Sequence, residues 1–239
     1  MENILNLLIL QLIAHLITDF YCQSDEFCKQ KKERGFRTWH LYGHALLTFL
    51  MAWLFSYSSN FIAYAIFIGV THLLIDGIKS LLKNWKYVFF ADQFVHSAII
   101  VTVVCLYNQN TGISLPVWLT YTRYLLLISG VIFCLKPTNV LISNVLKTFE
   151  IKTTDTKGET GELEKAGRLI GNLERILTLV FVLLNQFPAI GFLIAAKAIL
   201  RFKDTSTAKT EYVLIGTLLS FGVAIVIGVF ILKFKTLVQ

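Results

Sequence analysis

Apolar residues run almost unbroken through seven stretches of the chain, near 3–20, 40–57, 60–80, 91–107, 118–135, 170–187 and 211–232. Each is close to the ~17–25 residues that an α-helix needs to cross a hydrocarbon core. An eighth apolar segment, 188–201, opens at Pro188 and is shorter, so it reads as a kinked continuation or a re-entrant half-helix. Residues 138–149, "TNVLISNVLKTF", carry one apolar face and predict an interfacial helix. The Gly- and Thr-rich stretch 150–166 reads as a flexible loop. The pattern predicts an all-α, polytopic integral membrane protein of about seven transmembrane helices. It divides into a five-span core over 1–135, a cytoplasmic interfacial helix and loop over 136–169, and C-terminal membrane helices over 170–239. The first stretch has no basic lead and no small-residue cleavage site ahead of His15 and Asp19, so it is read as a retained span.

Composition supports this reading. Of 239 residues, 55% are hydrophobic and 15% charged, too apolar and too poorly charged for an ordinary soluble domain. The four cysteines form no CxxC and read as small apolar packing residues. The net charge of +7 sits largely in loops, and no basic stripe interleaved with aromatics points to nucleic acid.

The loop charges orient the spans. Lys29, Lys31, Lys32, Arg34 and Arg37 lie in 21–39, and Lys79, Lys83 and Lys86 follow the third span, whereas 56–60 and 107–116 carry no charge. Basic loops stay cytoplasmic, which places the N-terminus outside. Cations near 197–209 and again at 233–235 both ask for the cytoplasm, so the orientation of 188–239 is left open.

Against this apolar background the ionisable residues stand out. All five histidines lie within residues 15–96, and each is four residues from another His or an Asp: His15 with Asp19, His40 with His44, His72 with Asp76, and Asp92 with His96. Residues i and i+4 share a helix face, and an intramembrane ionisable residue normally faces the bundle interior. Spans one and three run inward with their pairs late, while spans two and four run outward with theirs early. All four pairs therefore fall at the cytoplasmic side, where an antiparallel bundle would aim them at one centre. Imidazole and carboxylate without thiolate suit a divalent metal, zinc being the leading candidate, with one or two ions. Asp76 or Asp92 is the candidate general base. Proton or ion conduction, haem held by two histidines, and purely structural bonding are the alternatives.

Further polar residues are candidates for substrate binding. Gln23 lies one turn beyond Asp19, and Lys79 one turn beyond Asp76. Arg168, Glu174 and Arg175 stand at the entry of the sixth span, and Lys197 and Arg201 share a helix face. A guanidinium fork suits a phosphate group; an ordinary interfacial ion pair and lysine snorkelling are the plainer readings.

The segments "HLITDFYCQ", "WHLYGH", "HLLIDGIK", "DQFVH", "GRLIGNLER" and "AAKAILRF" resemble the bacterial membrane family catalogued as domain-of-unknown-function 3307. That resemblance implies a multi-pass protein of the bacterial inner membrane and no particular activity. A weaker resemblance, over the first hundred residues, is to membrane-bound metal-dependent hydrolases of bacteria. It implies a hydrolase acting on a membrane lipid or phosphorylated amphiphile at the cytoplasmic leaflet. A proton- or ion-coupled transporter and a non-catalytic membrane scaffold are the competing classes. Homo-oligomerisation is neither required nor excluded by the sequence.

Overall fold

A computed structural model describes residues 2–82, 85–150, 161–201 and 207–237. Lys83, residues 151–160 of the loop and the side chain of Arg201 lie outside the described residues. The described chain is all helical, and it separates into two compact units, Met1–Ser129 and Gly130–Gln239.

The first unit is built on α1 (Glu2–Leu16), α3 (Trp39–Ser56), α4 (Ile62–Leu81) and α5 (Val88–Thr111), with the short α2 (Asp25–Arg34) between the first two. The four long helices form a ring, α1 packing on α3 and α5, and α4 packing on the same two. Leu7, Ala52, Phe61, Ala65, Ile68, Val103, Val104 and Tyr107 fill its apolar interior. Small residues let helices approach closely where lipid supplies no hydrophobic drive between them. Gly69 of α4 shows this: a Cβ there would sit 2.8 Å from Phe49 Cβ and 3.2 Å from the Ala45 carbonyl oxygen of α3.

α2 is strongly polar and lies over α4. Ser24 caps it, its hydroxyl accepting from the Phe27 N–H at 3.2 Å. Gly35, at φ 53°, ends it in a region closed to side chains, and a Cβ there would strike Ser80 Oγ.

The second unit holds α7 (Lys136–Thr148), α8 (Gly161–Leu183), α9 (Phe187–Arg201) and α10 (Thr207–Leu237); the division itself falls within α6 (Thr122–Cys134). α8 packs on α9 and α10, and α7 on α10. α6 and α7 meet at a 47° bend. Pro137 has no N–H for the Phe133 carbonyl, and the Thr138 hydroxyl donates to that oxygen instead, at 2.6 Å.

Four helical segments are long and apolar enough to cross a membrane: Glu2–Tyr21, Ser59–Leu81, Val88–Thr111 and Val213–Phe234. The bent α6–α7 pair makes a fifth if counted as one span. α3 and α8 carry ionisable residues in the stretches read as spans two and six and are not among the four. α9 is apolar but short.

Candidate metal centre

Each functional side chain is delivered by a specific feature of the ring. α1 ends at Leu16 and passes into a π-helical turn, Ile17–Tyr21, in which the Cys22 N–H reaches back five residues to the Ile17 carbonyl at 3.0 Å. Such wide turns recur at functional sites. His15 stands just before it and Asp19 within it, while the buried Thr18 donates its hydroxyl to the His15 carbonyl at 2.9 Å. His44 comes from the second turn of α3, His72 and Asp76 from the second half of α4, and Asp92 and His96 from the first half of α5.

These seven side chains converge. Asp19 Oδ1 is 3.3 Å from His44 Nε2, 3.3 Å from His72 Nε2 and 3.7 Å from His15 Nδ1. His44 Nε2 and His72 Nε2 are 2.8 Å apart. Asp76 faces His44 and His72 through Oδ2, at 3.8 and 4.0 Å, and His96 through Oδ1, at 4.0 Å. Asp92 Oδ1 is 3.4 Å from His96 Nε2. Three triplets have donor atoms within 4.8 Å of one another: His15–Asp19–His72, His44–His72–Asp76 and Asp19–Asp92–His96. The triplets share Asp19 and His72, so they form one connected set of possible ligands.

The donor set fits a cation. Around a tetrahedral ion with ligands at ~2.1 Å, neighbouring donor atoms lie about 3.4 Å apart, close to the spacing from Asp19 Oδ1 to both ring nitrogens. Four atoms of the cluster, His15 Nε2, Asp19 Oδ1, Asp92 Oδ1 and His96 Nε2, are buried with no hydrogen-bond partner. Burying polar atoms unpaired costs about 1–3 kcal/mol each, and a cation removes that cost at the two carboxylate oxygens directly. No thiolate enters any triplet among the described residues.

Two lysines pair with carboxylates of the cluster. Lys31 of α2 donates to Asp76 Oδ2 at 2.5 Å, and Lys79 donates to Asp92 Oδ2 at 2.6 Å. Gln93 donates to Asp19 Oδ2 at 3.1 Å and Asp92 Oδ2 at 3.2 Å, and the Gln23 amide nitrogen lies 2.8 Å from His44 Nε2. With neutral imidazoles, three carboxylates against two ammonium groups leave one net negative charge in a buried space. A divalent cation would turn this into one net positive charge.

Not every predicted residue joins. His40 is half-buried and stands apart, its ring stacked on Phe27 of α2 with centroids 4.0 Å apart. It shares a helix face with His44 but lies a full turn nearer the start of α3, beyond the reach of the other donors. Conversely, Lys31 and Gln93 were not among the expected site residues. Lys31 read only as one charge in a basic loop; Gln93, beside Asp92, had adjacency as its one signal.

The expected anion site in the second unit takes a different form. Arg175 is buried, and its guanidinium donates to the Cys134 carbonyl at 2.5 Å, to Asn139 Oδ1 and Asn172 Oδ1 at 2.5 Å each, and to Ser220 Oγ at 2.9 Å. Four of its five N–H groups are thus committed to neutral acceptors around the α6–α7 bend, which closes a helix break and presents no open fork. Glu174 pairs with Lys197, not with the arginine. Arg168 lies exposed about two turns earlier on α8.

No curated protein and no solved structure matches the chain. The model of a family described as "Protein of unknown function (DUF3307)" does match, over residues 7–126. That span carries the helices from within α1 through α5 and all seven converging side chains, and since it covers half of the 239 residues, the chain belongs to this family.

Proposed function

We propose that the protein is a metal-dependent membrane hydrolase acting on a lipid or phosphorylated amphiphile near the cytoplasmic leaflet. The observation that carries the reading is Asp19 Oδ1, buried without a hydrogen bond and 3.3 Å from two imidazole nitrogens of two other helices. His15, Asp19, His44, His72, Asp76, Asp92 and His96 would hold one or two divalent ions, zinc first among them. Such an ion acts as a Lewis acid and brings the pKa of a coordinated water to about 7.

The chain's own residues supply the rest. Asp92 Oδ2 is anchored by Lys79 and Gln93; with the ion held by the other six residues, the Asp92 Oδ1, which accepts no hydrogen bond, is the atom that would take a proton from water. Asp76 is less suited as a base, because Lys31 pairs with its Oδ2 and Lys79 also lies 3.9 Å from its Oδ1. The basic loops 21–39 and 79–86 support a cytoplasmic position for this end of the ring, with the N-terminus outside. The four long apolar segments, together with α3, α6 and α8, make the seven spans of this reading.

Elemental analysis of the protein purified without chelators tests the metal. Roughly one or two ions per chain are expected, and fewer than about 0.1 would overturn the reading. His72→Ala should remove metal and turnover of phosphorylated lipids together. Loss of charge movement instead, in a metal-free protein, would establish the transporter class.

A further inference from the structure

A cleft of about 230 Å³ abuts the cluster, with His44 as their common wall. It is framed by the end of the π turn, α2 and the start of α3. Its polar side is made by Gln23, Lys31 and His40, and its apolar side by Phe27, Trp39 and Leu47. No acidic side chain lines it among the described residues. The carboxylates therefore stay within the donor cluster, and Lys31 stands between the two, lining the cleft while its ammonium pairs with Asp76 Oδ2.

We infer that this cleft binds the phosphate head of a membrane lipid, with Lys31 and His40 on the anion and Trp39, Phe27 and Leu47 along the first carbons of the tails. The inference rests on the metal reading above for the direction of the charge. When a divalent ion draws on Asp76, Lys31 keeps its full positive charge while its partner's is shared. The cleft and the cluster behind it are then positive together, and an anion is the complementary ligand. The volume is below that of a drug-sized pocket, so it takes a headgroup and leaves the tails outside. Trp39 supports a lipid over a soluble ester, because it is 80% exposed at the mouth, the amphipathic ring that belongs at a headgroup layer. The place of His40 follows as well. The Phe27 stack fixes its ring on the cleft wall, away from the metal donors and facing the ligand.

Gly43, which also lines the cleft, supplies a clean test. A Cβ built there meets nothing within 4 Å, so a side chain can start from this position, and Gly43→Leu takes up cleft volume with better helix propensity. The full-length protein in mixed micelles is titrated with phosphatidic acid, with phosphatidylcholine and with soluble glycerol phosphate, and metal content is measured on each sample. Phosphatidic acid should bind best, and Gly43→Leu and His40→Ala should each weaken it at least about tenfold at unchanged metal content. Wild-type phosphatidic acid affinity in Gly43→Leu, or equal binding of phosphatidylcholine, would overturn the inference. Equal binding of glycerol phosphate would overturn its lipid part. A metal-free wild type that still binds phosphatidic acid through His40 would overturn the hydrolase reading and leave the cleft assignment standing.

Discussion

The Nε2 atoms of His44 and His72 face each other at 2.8 Å, one from each of the neighbouring helices α3 and α4. Two facing imidazole nitrogens repel unless a proton or a cation lies between their lone pairs. A proton satisfies only this pair, whereas a cation also satisfies Asp19 Oδ1, 3.3 Å from both. Metal should therefore stabilise the fold. At an ion concentration of about 100 times Kd the gain is ~2.7 kcal/mol, read as a rise in the thermal unfolding midpoint that a chelator reverses. The rise should shrink as pH falls, since ligand nitrogens must shed protons to bind. His72→Ala should abolish it, and an undiminished rise in that variant would exclude the assignment.

Gln11 is the next residue whose role can be measured. Its amide donates to the Ala52 carbonyl at 2.9 Å, which leaves Oε1 buried without a partner. Gln11 and His15 both line a cavity of about 10 Å³, near the minimum for one water. His15 turns Nδ1 toward Asp19, so its unpartnered Nε2 needs an acceptor, and a water bridging to Gln11 Oε1 would provide it. Outer partners of this kind are worth about 10–100-fold in metal affinity. Gln11→Leu should lose that factor and change the His15 tautomer populations seen by ¹⁵N NMR. Unchanged affinity and spectra would show that the glutamine only packs.

How much of this was legible in the sequence follows from what spacing can express. The i,i+4 recurrence identifies a shared face, and His15, His44, His72 and His96 meet on it. Spacing along one helix does not fix depth against another, so His40 reads like its neighbour although Phe27 holds it a turn away. Lys31 sits in a short helix inside a loop, and its contact with Asp76 depends on how α2 lies over α4, a tertiary matter. Arg175 next to Glu174 looks like an interfacial pair. One of its actual partners, the Cys134 carbonyl, lies at the break between α6 and α7, which the pairing of neighbours in sequence does not reveal.

That arrangement sets the expectation for Arg175. Lysine carries the charge but cannot reach Cys134, Asn139, Asn172 and Ser220 together. Each buried acceptor left without a donor costs about 1–3 kcal/mol. Arg175→Lys should lower the unfolding midpoint clearly, with metal content per folded chain unchanged. If stability held and only turnover of a phosphorylated substrate fell, the guanidinium would be a ligand contact after all.

The last prediction concerns how tightly the fold constrains the centre. His44 directly precedes Ala45, which Gly69 touches, and His72 lies three residues beyond Gly69 on α4, so the separation of these helices at Gly69 bears on the distance between the two imidazoles. Gly69→Ala places a methyl 2.8 Å from Phe49 Cβ and 3.2 Å from the Ala45 carbonyl. Neither atom is the end of a flexible side chain, so the backbones themselves must part. Overpacking of this kind costs about 1–3 kcal/mol. Alanine is also the better helix former by about 1 kcal/mol, so the net loss of stability should be small. Metal affinity should suffer more, because a few tenths of an ångström of helix separation act directly on the His44–His72 spacing. Weaker metal binding in a protein that melts within a few degrees of wild type is the expected result. A large loss of stability with unaltered affinity in the folded fraction would show that the histidines adjust independently of the helices that carry them.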